Sequence, residues 1–125
     1  MALVLYGIPN CDTVRKARRV LDAGGVAYRF HDHRADGVAE ADLRRWCKAF
    51  GWQKVLNKAS TTFRALPPEE TAALDEPRAI ELMREHPSLI KRPILEGDGT
   101  ALIGFDPDAY GRLAGPASAL TRKPS

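Results

Sequence analysis

The chain has 125 residues, 44% of them hydrophobic and 28% charged, with a formal net charge of +3. That size suits one compact domain, and the lack of any run of about 18 apolar residues or of a signal-peptide pattern predicts a cytoplasmic protein with no membrane partner. Cys11 and Cys47 are the two cysteines present, which excludes a disulfide framework, and Cys11-Asp12-Thr13-Val14 is not a C-x-x-C pair.

Taken in order, Ala2 to Tyr6 is apolar and β-favouring and is ended by Gly7 and Pro9, the pattern of a short buried strand. Asp12 or Thr13 can cap the helix that follows. Val14, Ala17, Val20 and Leu21 supply its apolar stripe, and Ala23-Gly24-Gly25 stops it. Cys11 therefore stands where a helix begins, and unpaired N–H groups and a partial positive charge favour a thiolate there. From this local pattern two readings stay open, a reactive thiol and a buried cysteine at a strand–helix junction. Arg15-Lys16-Ala17-Arg18-Arg19 fits a solvated helix face better than a nucleic-acid surface, so no nucleic-acid partner is expected, whereas an anionic substrate is compatible with it.

Val26 to His31 alternates as a second strand, and strand–helix–strand at this spacing implies a parallel pair with a right-handed crossover. His31 and His33 would then share one strand face, but two histidines without a third ligand favour a polar strand end, and no metal is expected. Glu40 to Phe50 follows a turn at Asp36-Gly37 as an amphipathic helix with Leu43, Trp46, Cys47 and Phe50 inward, which makes Cys47 a small core residue. Trp52 to Leu66 is less regular, with a helical turn around Gln53 to Asn57. Pro67-Pro68-Glu69-Glu70 opens another helical piece, and a helix spans Pro77 to Glu85 with Ala79, Ile80, Leu82 and Met83 apolar before His86-Pro87 closes it.

Strand character returns over Leu89 to Leu95, Glu96-Gly97-Asp98-Gly99 has hairpin turn chemistry, and Thr100 to Ile103 is the returning strand. Asp106 caps a last helix with Pro107 at its first position, running to about Leu113. The expected organisation is a single domain over 1–114, with an all-helical insertion at about 38–88 between the second and third strands and a disordered tail at 115–125. The fold class is α/β, a mixed sheet built β-α-β then β-β-α, an order that resembles the thioredoxin/glutaredoxin arrangement. That likeness implies a cysteine at the start of the first helix facing a proline before the third strand, here Cys11 and Pro93, and a cis peptide at Pro93.

Four blocks carry a closer likeness: Tyr6-Gly7-Ile8-Pro9-Asn10-Cys11-Asp12-Thr13-Val14-Arg15-Lys16-Ala17, Tyr28-Arg29-Phe30-His31-Asp32, Val55-Leu56-Asn57-Lys58 and Ile90-Lys91-Arg92-Pro93-Ile94. In this order they resemble the thioredoxin-fold arsenate reductase family, which also contains the Spx transcriptional regulators. Within it they most resemble the subgroup proposed to be glutathione-dependent thiol reductases. The resemblance implies that Cys11 is the nucleophile and that Arg92 corresponds to one of three arginines that hold an oxyanion in the glutaredoxin-coupled arsenate reductases. Asn57 stands in place of a second, and Ile103-Gly104-Phe105-Asp106 supplies no third. Lys58 or Arg64 substitutes only in part, because a lysine lacks the planar bidentate fork of arginine. The low-molecular-weight phosphatase type is excluded, since its loop needs an arginine six residues after the cysteine and position 17 is alanine.

The resulting expectation is an oxidoreductase using one cysteine through a mixed disulfide with glutathione, which serves as co-substrate with no bound cofactor; glutaredoxin is a further partner. Cys11 and Arg92 are the expected catalytic residues. Asn10, Thr13, Arg15, Asn57, Lys58, Arg64 and Pro93 are the expected substrate-binding set, with Lys16 and Lys91 as further basic residues for the glutathione carboxylates. Two alternatives stay open: a non-enzymatic Spx-like regulator that binds RNA polymerase, and arsenate reduction itself. A monomer is expected, because no exposed heptad or long edge strand argues otherwise.

Overall fold

The computed structural model of the protein describes residues 3–97 and 99–113. The tail expected at 115–125, residue 114 at the expected domain boundary, and Ala2 of the first strand lie outside the described residues. The chain forms two compact units, one running to Asp32 and resuming at Arg92, the other comprising His33–Lys91.

The first unit carries β1 (Leu3–Gly7), α1 (Asp12–Ala23), β2 (Tyr28–Asp32), β3 (Ile94–Gly97) and β4 (Thr100–Ile103), followed by a helical segment over residues 107–113. The strands lie in the order β2-β1-β3-β4. β1 runs parallel to β2, with Leu5 opposite Phe30, and antiparallel to β3, with Leu5 opposite Leu95; β3 and β4 close an antiparallel hairpin. This is the expected thioredoxin-like mixed sheet. Leu3 and Leu5 share one face of β1 because strand side chains alternate. They meet Ala17 and Leu21 of α1, Leu95 and Tyr110 in a buried cluster that Val20, Val26 and Phe30 extend. Val14, Ala17 and Leu21 are the fully buried stripe of α1, spaced for one helical face. Of the two glycines after α1, Gly25 takes the positive φ, at 69°, and Gly24 stays right-handed. In the segment after β4, Asp106 Oδ1 accepts the Asp108 N–H at 3.0 Å, the expected cap.

The second unit holds α2 (His33–Asp36), α3 (Glu40–Phe50), α4 (Trp52–Val55), α5 (Thr61–Ala65), α6 (Pro68–Thr71), α7 (Glu76–Glu85) and a 3-10 turn at Pro87–Leu89. Its interior is built from Leu43, Trp46 and Cys47 of α3 and Ala79, Ile80, Leu82 and Met83 of α7. Phe50, expected inward, is half-buried. The helix α5 was not legible as a period because it buries none of its residues. Its one sequence signal is the cap, where Ser60 Oγ accepts the Phe63 N–H at 3.1 Å. Asp75 does the same for α7, its Oδ1 accepting the Arg78 N–H at 3.0 Å. Replacing Asp75 with alanine is expected to destabilise the chain by about 1 kcal/mol, read as a lower urea midpoint at unchanged slope; an unchanged midpoint would show that the cap contributes nothing.

Two expectations are corrected here. The third strand does not begin at Leu89. Leu89 belongs to the 3-10 turn, Ile90 makes a single antiparallel bridge with Leu56, and β3 starts at Ile94. Pro93 has no N–H for a ladder, and the apolar pair Leu89-Ile90 is buried without being a strand, which an apolar run by itself cannot distinguish. Nor do His31 and His33 share a strand face. β2 ends at Asp32, and His33 opens α2 as a buried residue set edge-on to Trp46 at 5.9 Å between ring centroids. His31 tilts against Tyr6 at 5.1 Å. Among the described residues no group of His, Cys, Asp and Glu side chains could hold a metal ion, and no helix is long and apolar enough to cross a membrane.

Candidate active site

β1 ends on the buried Gly7, and the exposed Pro9 and Asn10 turn the chain into α1. The turn is closed by the Cys11 N–H, which donates to the Ile8 carbonyl at 3.4 Å. Cys11 is itself the N-cap of α1, with extended φ −99° and ψ 126°, and its carbonyl accepts the Arg15 N–H at 2.9 Å. The expected cap at Asp12 or Thr13 is thereby corrected. The helix begins at Asp12, so the residue half inside it is the cysteine, and its side chain makes no capping bond. The first N–H groups of a helix have no partner within it, and here those of Thr13 and Val14 favour negative charge on the sulfur.

The Cys11 thiol is half-buried, and burial alone would raise its pKa. The Val14 backbone N–H, the Arg92 guanidinium as hydrogen-bond donor, the Thr13 backbone N–H and the Arg92 charge all favour the thiolate, and together they bring the thiol below its ordinary value. Arg92 reaches this position from the strand side of the same unit, immediately before β3. The Arg92-Pro93 peptide is cis, the isomer the fold likeness implies, and the buried Pro93 accepts the Gly104 N–H at 2.8 Å through its carbonyl.

Cys11, Arg92, Pro93, Asn10, Thr13 and Arg15 therefore belong to the strand unit, and within it Arg92 and the Thr13 main chain both act on the Cys11 thiol. Thr13 acts through its main chain. Val14, legible in the sequence as a core side chain, serves the site through its amide. Arg15 is exposed, and its guanidinium is engaged by the Asp12 carboxylate. Lys16 is exposed as well.

Asn57, Lys58, Arg64 and Lys91 belong to the helical unit. Asn57 shapes its own loop: Oδ1 accepts the Ala59 N–H at 3.1 Å and its N–H donates to the Leu89 carbonyl at 2.7 Å. The Lys58 ammonium lies 5.6 Å from the centroid of the Trp52 ring, a cation–π distance, while Arg64 and Lys91 are exposed. Cys47 is buried in α3; burial first, and then the nearby Glu76 carboxylate, push its thiol up to about 11. A thiol in that state is protonated at neutral pH and behaves as a small apolar residue. The same unit contains an open groove of about 610 Å³, lined by residues of α3 and α7 and their flanks; none of the predicted site residues lines it.

A solved structure of a protein named YFFB (PA3664) is 57% identical to the chain and superposes with a TM-score of 0.86, covering 89% of this chain and 97% of that one. An arsenate reductase (ArsC) related protein from Brucella melitensis is 44% identical with a TM-score of 0.71, covering 90% of this chain and 93% of its own. An uncharacterized protein of Haemophilus influenzae is 43% identical over 108 residues, 86% of this chain and 95% of the relative. More distant relatives include the global transcriptional regulator Spx of Listeria innocua, 23% identical over 113 residues, 89% of this chain and 86% of that protein. The ArsC family model matches residues 6–113, and the chain, with its thiol at the start of the first helix and an arginine before the cis-proline, belongs to the ArsC family.

Proposed function

We propose that the chain is a glutathione-dependent thiol oxidoreductase in which Cys11 is the single nucleophile. The observation that carries this reading is the environment of the sulfur: two helix-start amides and the Arg92 guanidinium favour its thiolate, and no second cysteine stands in the same turn. The thiolate attacks the sulfur of a glutathione mixed disulfide, forming a Cys11–glutathione disulfide and expelling the substrate thiolate. A second glutathione thiolate then attacks that disulfide, releasing oxidised glutathione and restoring the Cys11 thiolate. Electrons pass from glutathione to the substrate, and no bound cofactor is needed. In this reading Arg92 also faces the anionic substrate, and the chain works as a monomer, with glutaredoxin as a further partner in turnover.

Arsenate is not proposed as the natural substrate. Of the three oxyanion arginines that the resemblance implies, Arg92 alone is matched, and Asn57 is occupied in forming its own loop. The relatives named Spx support a second reading, a regulator that binds RNA polymerase without catalysis. Incubation with oxidised glutathione followed by intact mass separates the two. One glutathionyl adduct, mapped to Cys11 and removed by added glutathione, is the expected result; no adduct at neutral pH would sink the oxidoreductase reading and leave the regulator.

A further inference from the structure

β1 ends on a glycine whose φ is not left-handed, so backbone freedom does not explain it. Glycine within a strand is unfavourable, since it contributes no packing and loses the most conformational freedom. Space explains it. A Cβ at Gly7 would lie 2.7 Å from Val14 Cγ2, 3.3 Å from Cγ1 and 3.6 Å from Cβ of the same side chain. At Gly25, Gly37, Gly99 and Gly111 a Cβ would meet nothing within 4 Å. The contact at Gly7 has no easy relief. Val14 is β-branched, holds essentially one χ1 rotamer in a helix, and is wholly buried. An added methyl group must therefore displace the backbone of the first turn of α1, and that backbone includes the Val14 N–H, which favours the Cys11 thiolate.

We propose that Gly7 is a positioning residue for the Cys11 thiolate: its missing side chain lets Val14 seat against the end of β1 and sets where the amides of the first turn of α1 lie relative to the sulfur. This rests on the reading of Cys11 as the nucleophile, and it assigns to a strand residue a part in setting that thiol's acidity.

The test is the rate of Cys11 alkylation by iodoacetamide against pH, followed by peptide mass, in the wild type, Gly7→Ala, and the double variant Gly7→Ala/Val14→Ala. Folding of each is checked by urea titration. Gly7→Ala is expected to move the alkylation midpoint to higher pH by about half a unit or more, as loss of a hydrogen bond to the charged form requires. The double variant, which removes both offending methyl groups and keeps the amide, is expected to bring the midpoint back to the wild-type value. A folded Gly7→Ala with an unchanged midpoint overturns the proposal, as does a double variant whose midpoint stays high. Should Gly7→Ala not fold, the double variant decides alone: folded with the wild-type midpoint it supports the proposal, and folded with a raised midpoint, or unfolded, it overturns it. The readout involves no glutathione. A chain that takes up no glutathione yet shows these shifts would lose the oxidoreductase reading and keep this one.

Discussion

Replacing Cys11 with serine is expected to reduce glutathionylation by oxidised glutathione to background, with Cys47 left unmodified in the folded chain. The two thiols differ in environment rather than in kind. Cys11 is half-buried among donors that favour its charged form, whereas Cys47 is buried in α3 with its pKa pushed up to about 11. At neutral pH a thiol of that pKa is about one part in ten thousand thiolate, and the thiolate is the attacking species. Intact mass of the two variants Cys11→Ser and Cys47→Ser is the measurement. An adduct that survives in Cys11→Ser would move the chemistry to Cys47 and end the assignment made here; in Cys47→Ser the adduct should persist at the wild-type rate.

Removing the guanidinium in Arg92→Ala should raise the Cys11 alkylation midpoint, because both a hydrogen bond and a charge that favour the thiolate are lost. At any pH below both midpoints, the thiolate fraction then falls about tenfold for each unit of that rise. Arg92→Lys should recover part of the effect, since it restores the charge without the planar fork. The sign carries over to stability. A group whose pKa is depressed in the fold contributes stability that is fully present above its unfolded pKa and is lost as the pH falls through the folded one. Arg92→Ala should therefore lower the urea midpoint more at alkaline than at acid pH. A midpoint of alkylation that does not move would remove Arg92 from the site.

The sequence was most informative where a local rule and a buried stripe coincide. The stripe of Val14, Ala17, Val20 and Leu21 placed α1, and Leu43, Trp46, Cys47 and Phe50 placed α3, because periodic apolar residues are what a helix buries, although Val20 and Phe50 are only half-buried. It was least informative where burial comes without periodicity. Leu89 and Ile90 looked like a strand and are an irregular buried segment, while α5, which buries nothing, left only its Ser60 cap as a trace. His33 shows the same limit, since a polar residue at an expected strand end turned out to be a core residue against Trp46.

By itself, the sequence determined the family, the order of the strands and the cysteine proposed as nucleophile, because these depend on residue types at short spacing: a cysteine before an amphipathic helix, an arginine before a proline, no second cysteine in the turn. Only the tertiary structure decided which groups act on the sulfur. Arg92 is eighty-one residues from Cys11 along the chain, and the sheet order places β3 beside β1. The amides of Thr13 and Val14 favour the thiolate because Cys11 stands at the N-cap of α1, a helix that packs closely on the strand end at Gly7. That seating leaves no room for a side chain at Gly7, where a Cβ would lie 2.7 Å from Val14 Cγ2, and composition and periodicity had marked the two residues only as a stop and a core side chain.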